Sequence, residues 1–116
     1  MVRLYGIPNC DTMKKARKWL ADHGIESGFH DYKKLGLDES RLQEWMDQVG
    51  WETLLNRRGM MWRKLSQAQR DNINEARARK LMLETPSIIK RPVLITDDGH
   101  IEVGFSEDKY KELFQQ

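Results

Sequence analysis

The spacing of apolar and polar positions divides the chain into short elements. Arg3-Leu4-Tyr5 reads as a strand stopped by Gly6-Ile7-Pro8. Beyond Cys10, Met13, Ala16, Trp19 and Leu20 recur at helical spacing, and Gly24 is the expected stop. A second extended stretch runs from Ser27 to Tyr32. Asp38 then precedes a helix whose apolar face is Leu42, Trp45, Met46 and Val49, with Gly50 ending it. Trp51, Leu54 and Leu55 suggest one more helical turn, followed by the basic loop Asn56-Arg57-Arg58-Gly59. Ser66 with Gln69 is a capping-box signature. Asn74 caps a further predicted helix to about Glu84, with Pro86 interrupting it. Val93-Leu94-Ile95-Thr96 and Ile101-Glu102-Val103 flank Asp97-Asp98-Gly99-His100, a hairpin pattern that leaves room for a loop longer than two residues. Ser106 caps a last helix expected to bury Tyr110, Leu113 and Phe114.

The order is β-α-β, several helices, then β-β-α. Two strands joined by a helix imply a parallel, right-handed βαβ unit. With the closing hairpin and helix, the expected fold is α/β: a four-stranded mixed sheet with helices on its faces and a helical insertion at about 37–85. This is the thioredoxin-like architecture with an insert, read as one domain over 1–116. A chain of 116 residues and 13.8 kDa is one domain's worth of sequence, and it should bury roughly two-thirds of its unfolded surface. With 39% hydrophobic and 33% charged residues, it is neither a disordered tail nor a multidomain enzyme. No apolar run approaches the roughly 20 residues of a membrane span. The polar start Met1-Val2-Arg3-Leu4 does not resemble a signal peptide, and a cytoplasmic location is expected. A single cysteine, Cys10, excludes an internal disulfide and fits a reducing compartment.

Charge changes the picture in one place. Residues 57–80 carry eight Lys/Arg and two Asp/Glu, between near-neutral or acidic flanks, and the whole chain has a net charge of +2. Such a block attracts an anion, an acidic partner or nucleic acid. Trp62 lies among Arg57, Arg58, Arg63 and Lys64, a composition compatible with single-stranded nucleic acid. Core packing of Trp62 beneath a solvated basic face is the reading preferred here, so nucleic acid is not expected as a partner.

The chemistry concentrates at Cys10. Most lone cysteines are inert, buried small hydrophobes. This one stands between a strand end and a helix start, where unpaired backbone N–H groups stabilise a thiolate. Asp11 works against activation and Lys14 for it, and the net sign is open at this level. Dithiol oxidoreductases place a second cysteine three residues on, but that position is Met13. A disulfide formed at Cys10 therefore needs an external thiol to resolve it, and glutathione is the obvious candidate. Arg91-Pro92 precedes a buried strand and is either an ordinary turn or part of a site. Arg57-Arg58 is a solvated loop unless context says otherwise. His23, His30 and His100 lack metal-ligand spacing, and no phosphate-binding or dinucleotide glycine motif is present, so no metal and no bound cofactor are expected.

Gly6-Ile7-Pro8-Asn9-Cys10, Asn56-Arg57-Arg58-Gly59 and Arg91-Pro92, in this order and spacing, resemble the arsenate-reductase-like family, which also holds the Spx regulators, and within it the YffB branch. The resemblance implies that Cys10 is the nucleophile, that Pro92 is a cis proline facing it, and that Arg91 with Arg57 or Arg58 holds an anion. Asn9 and Lys14 are assigned beside them to glutathione binding. Two departures matter. Val103-Gly104-Phe105-Ser106 lacks the third arginine of arsenate reductases, so efficient arsenate reduction is not expected. Met13 removes the Cys-x-x-Cys switch of Spx proteins. The expected function is a single-cysteine, glutathione-dependent thiol/disulfide reductase acting on a small thiol, disulfide or oxyanion. Glutathione or a glutaredoxin would be its partner and the protein a monomer. The alternative is a non-catalytic, Spx-like binding protein that uses the basic insertion.

Overall fold

The structure, a computed structural model, describes residues 1–115. The chain folds as two compact units, Met1–Tyr32 with the chain from Arg91, and Lys33–Lys90. The second contains the span 37–85 read as an insertion and extends a few residues beyond it at each end.

The first unit carries the sheet. Its strands are β1 (Val2–Gly6), β2 (Ser27–Asp31), β3 (Val93–Ile95) and β4 (Ile101–Val103), in the order β2-β1-β3-β4. β1 pairs parallel with β2 and antiparallel with β3, and β3 pairs antiparallel with β4. This is the mixed four-stranded sheet of a thioredoxin-like fold. Helix α1 (Asp11–Asp22) buries Met13, Ala16, Trp19 and Leu20, the face its periodicity predicts. It stops at Asp22 because Gly24, at φ 69°, lets the chain turn back. The Gly24 and Ile25 amides then donate to the Ala21 and Leu20 carbonyls at 3.1 and 2.9 Å. Val2, Leu4, Met13, Ala16, Trp19, Leu20, Leu94 and Tyr110 form one hydrophobic cluster, each large side chain stabilising the fold by about 1.5–3 kcal/mol relative to exposure.

Three expectations for this unit need correction. Tyr32 does not end β2; it begins a helical turn, Tyr32–Leu35 (α2). β3 ends at Ile95 rather than Thr96, and Thr96 to His100 form the longer loop the pattern left room for, closed by Thr96 N–H to the His100 carbonyl at 3.0 Å. In the last helix of the chain, Glu107–Phe114, only Tyr110 is fully buried, with Leu113 and Phe114 half-buried against the cluster.

The second unit is helical. α3 (Glu39–Val49) buries Leu42, Trp45 and Met46, and α4 (Trp51–Leu54) follows a Gly50 at φ 85°. Asp38 stands at the N-cap of α3, but its side chain makes no capping bond. α5 (Met60–Arg63) was not foreseen, since its residues follow a plain basic loop without a cap side chain. α6 (Gln67–Asp71) has the expected capping box between Ser66 and Gln69. α7 (Glu75–Glu84) is capped by Asn74, whose side chain accepts from Arg77 N–H at 2.9 Å. Pro86 does interrupt it, starting a 3-10 turn, Pro86–Ile88. The last helix, Glu107–Phe114, is α8. Among the described residues no helix is long and apolar enough to cross a membrane.

Candidate active site

Three segments of the first unit bring the site together. β1 leads into the loop Ile7-Pro8-Asn9 and then into Cys10, the N-cap of α1, with extended backbone at φ −136° and ψ 125°. A Cβ at Gly6 would meet the Sδ of the fully buried Met13, so any larger residue there forces that methionine to shift. On the other side of β1 stands Arg91, joined to Pro92 by a cis peptide bond. The Pro92 carbonyl is tied to the start of the next segment, accepting from Gly104 N–H at 2.8 Å.

The Cys10 thiol is half-buried. Burial alone pushes its pKa up. That effect is outweighed by the Met13 backbone N–H, a hydrogen bond from the Arg91 side chain, the Thr12 backbone N–H and the Arg91 charge. The thiol therefore lies below its ordinary value. The thiol makes no conventional side-chain cap of α1; the amides of its first turn act on the sulfur as favourable dipoles for its anion. The contest between Asp11 and Lys14 is thus resolved by neither, because the leading contributions come from the helix amides and from Arg91.

Tyr32 is a member of the site that sequence reasoning missed. It is fully buried. Burial drives its phenol pKa up, while the charge of Arg91 and a hydrogen bond from its side chain oppose that rise. The signal was present in the parallel βαβ reading. Parallel strands end on the same side, so the residue after β2 falls beside the loop that carries Cys10, and Asp31 pairs with Gly6.

The other assigned residues are placed differently. Asn9 and Lys14 are exposed, and Lys14 N–H donates to the Cys10 carbonyl at 3.0 Å. Arg57 and Arg58 belong to the second unit. Arg57 lies over the rings of Trp51 and Trp62 at 5.2 and 5.7 Å and within 4.0 Å of Glu52. Arg58 is exposed, with its backbone N–H donating to Asn56 Oδ1 at 3.1 Å. The histidines stand apart in separate local settings: His23 stacks on Trp19 at 3.9 Å, His30 lies against Tyr5, and His100 sits 3.8 Å from Glu102. Among the described residues no group of three His, Cys, Asp or Glu is placed to hold a metal ion.

The sequence profile of the ArsC family matches residues 5–113. An uncharacterized protein of Haemophilus influenzae is 43% identical over 114 residues, covering 98% of this chain and 99% of its own. The Spx 1 global transcriptional regulator of Lactococcus lactis is 29% identical, over 96% of this chain and 87% of its own. Among solved structures, the YffB protein has a TM-score of 0.89 at 50% identity, covering 97% of each chain. An arsenate reductase related protein from Brucella melitensis has a TM-score of 0.81 at 53% identity, covering 99% of this chain and 95% of its own.

Proposed function

The chain belongs to the ArsC family, and from that premise we propose that it is a thiol-redox enzyme in which Cys10 is the nucleophile and glutathione the co-substrate. The observation that carries the reading is the placement of Cys10 at the N-cap of α1, where the first-turn amides and Arg91, next to the cis Pro92, act on its sulfur and favour the thiolate. The thiolate is the reactive form of a cysteine, so a site that favours it is prepared for nucleophilic attack.

The proposed cycle uses ordinary thiol–disulfide exchange. Cys10 thiolate attacks one sulfur of a substrate disulfide, forming a Cys10 mixed disulfide and releasing the other half as a thiolate. With Met13 in the local resolving position, a glutathione thiolate attacks that mixed disulfide. This regenerates Cys10 thiolate and leaves the substrate half joined to glutathione. A second glutathione then frees it as a thiol and forms glutathione disulfide, so two glutathiones are oxidised for each disulfide reduced. Arg91 stabilises Cys10 as attacking and as leaving thiolate. Asn9 and Lys14 are proposed as donors to glutathione. Arg57 and Arg58 belong to the second unit and are given no step in this cycle.

The test is turnover of a glutathione mixed disulfide on a peptide, followed by glutathione disulfide production. The unaltered protein is expected to turn over, and Cys10→Ser to fall to the uncatalysed rate with its fold intact. Activity surviving in Cys10→Ser would sink the mechanism.

A second reading, a binding protein of Spx type, is favoured by the basic run at 57–80. Its nucleic-acid form is weakened by Trp62, which is half-buried and already carries Arg57 over its ring. A protein that bound an acidic partner and turned over no disulfide would belong to this second reading.

A further inference from the structure

Arg91 is a flexible side chain asked to hold one place. An arginine side chain has many rotamers to give up, and a single contact to a half-buried sulfur is a weak restraint. The fold supplies a second contact. Tyr32 follows directly on β2, whose last residue, Asp31, pairs with Gly6. Arg91 stands just ahead of Pro92 and Val93, and Val93 pairs with Tyr5. The two residues therefore approach the same end of β1 from its two flanking strands.

We propose that Tyr32 is a positioning residue for the candidate nucleophile, its buried hydroxyl accepting a hydrogen bond from Arg91 and so holding the guanidinium against the Cys10 sulfur. The inference rests on the reading of Cys10 as nucleophile. A guanidinium has five N–H donors in a planar fork, enough to serve the sulfur and the phenol together. The choice of a phenol matters. A carboxylate at this place would fix Arg91 equally well, but it would neutralise the charge that favours the thiolate. Tyr32 is fully buried, and burial keeps it protonated, so it accepts without cancelling that charge. The other charged groups nearby are Asp31, next to Tyr32, and Asp11 and Lys14, on the helix that Cys10 caps. None of them changes between the variants below.

The experiment is a double-mutant cycle read by the pKa of Cys10, from thiolate absorbance and from the pH profile of alkylation by iodoacetamide. Tyr32→Phe keeps the ring and removes only the hydroxyl. One hydrogen bond is worth about 1 kcal/mol, so this variant is expected to raise the thiol pKa by about half to one unit. In an Arg91→Met background the same change is expected to do nothing. An unchanged thiol pKa in folded Tyr32→Phe would overturn the proposal, as would an equal rise with and without Arg91. A purely structural role for Tyr32 would lower stability without this dependence on Arg91.

A second readout needs no change at Tyr32. Rotation of the Arg91 guanidinium, measured by nitrogen NMR, is expected to stay slow in Cys10→Ala, where Tyr32 still holds it. Free rotation there would contradict the proposal. An ordinary thiol pKa in the unaltered protein would remove the proposed function along with this inference. A depressed value that ignores Tyr32→Phe would remove the inference alone.

Discussion

At the scale of single residues, the molecule spends its polar groups unevenly. At Cys10 the sulfur and the nearby phenol are engaged: helix amides and Arg91 act on the sulfur, and Arg91 also bonds Tyr32. In the core beneath α8 the opposite holds. The Tyr110 hydroxyl is buried and has no hydrogen-bond partner among the described residues, and its pKa is driven up by burial and by Glu102. Its ring is well used, packing edge-on against Trp19 at 5.5 Å and Phe105 at 4.8 Å. An unpaired buried hydroxyl is a liability that its removal relieves. Tyr110→Phe is therefore expected to raise unfolding stability by about 1 kcal/mol in urea denaturation, and a loss of similar size would show that the hydroxyl is satisfied. The unpartnered Tyr110 hydroxyl was not legible in the sequence, where Tyr110 reads only as part of an apolar helix face. Tyr32 read as the end of a strand; its place beside Cys10 follows from the parallel βαβ order, but its bond to Arg91 depends on a residue far along the chain.

At the scale of elements, legibility followed locality. The helices after Ser66, Asn74 and Ser106 were readable because each cap side chain accepts a bond from an amide three residues on. The end of α1 was readable from Gly24 for the same reason. α2 and α5 were not: each is a single four-residue turn, and among such turns only α4 was read, from the apolar spacing of Trp51, Leu54 and Leu55. The contact of β1 with α1 lies between these cases. Gly6 reads as a strand stop, but its structural demand comes from Met13 across the loop. Gly6→Ala is expected to lower stability by about 1–3 kcal/mol, as overpacking does, measured as a fall in denaturant midpoint. An unchanged midpoint would mean that the buried Met13 sulfur can move aside freely, and with it the start of the helix that carries Cys10.

At the scale of the whole molecule, the activated thiol is a product of folding. Cys10 stands near one end of the sequence and Arg91 toward the other, and β1 and β3 bring them together. In the unfolded chain neither the helix amides nor Arg91 acts on the sulfur. The folded thiol, with its lowered pKa, releases its proton at lower pH than the unfolded one. Between the two values the unfolded state binds more protons, so stability rises with pH across that window. The gain is complete above the unfolded thiol's value and is lost as pH falls through the folded one. This ties the fold, readable from alternating strands and helices, to a site whose chemistry exists only once β1 and β3 are paired. The most direct test is to titrate Cys10 by its thiolate absorbance, once in the folded protein and once in concentrated urea. A folded value clearly below the unfolded value is expected, and a folded value equal to it or higher would contradict the account.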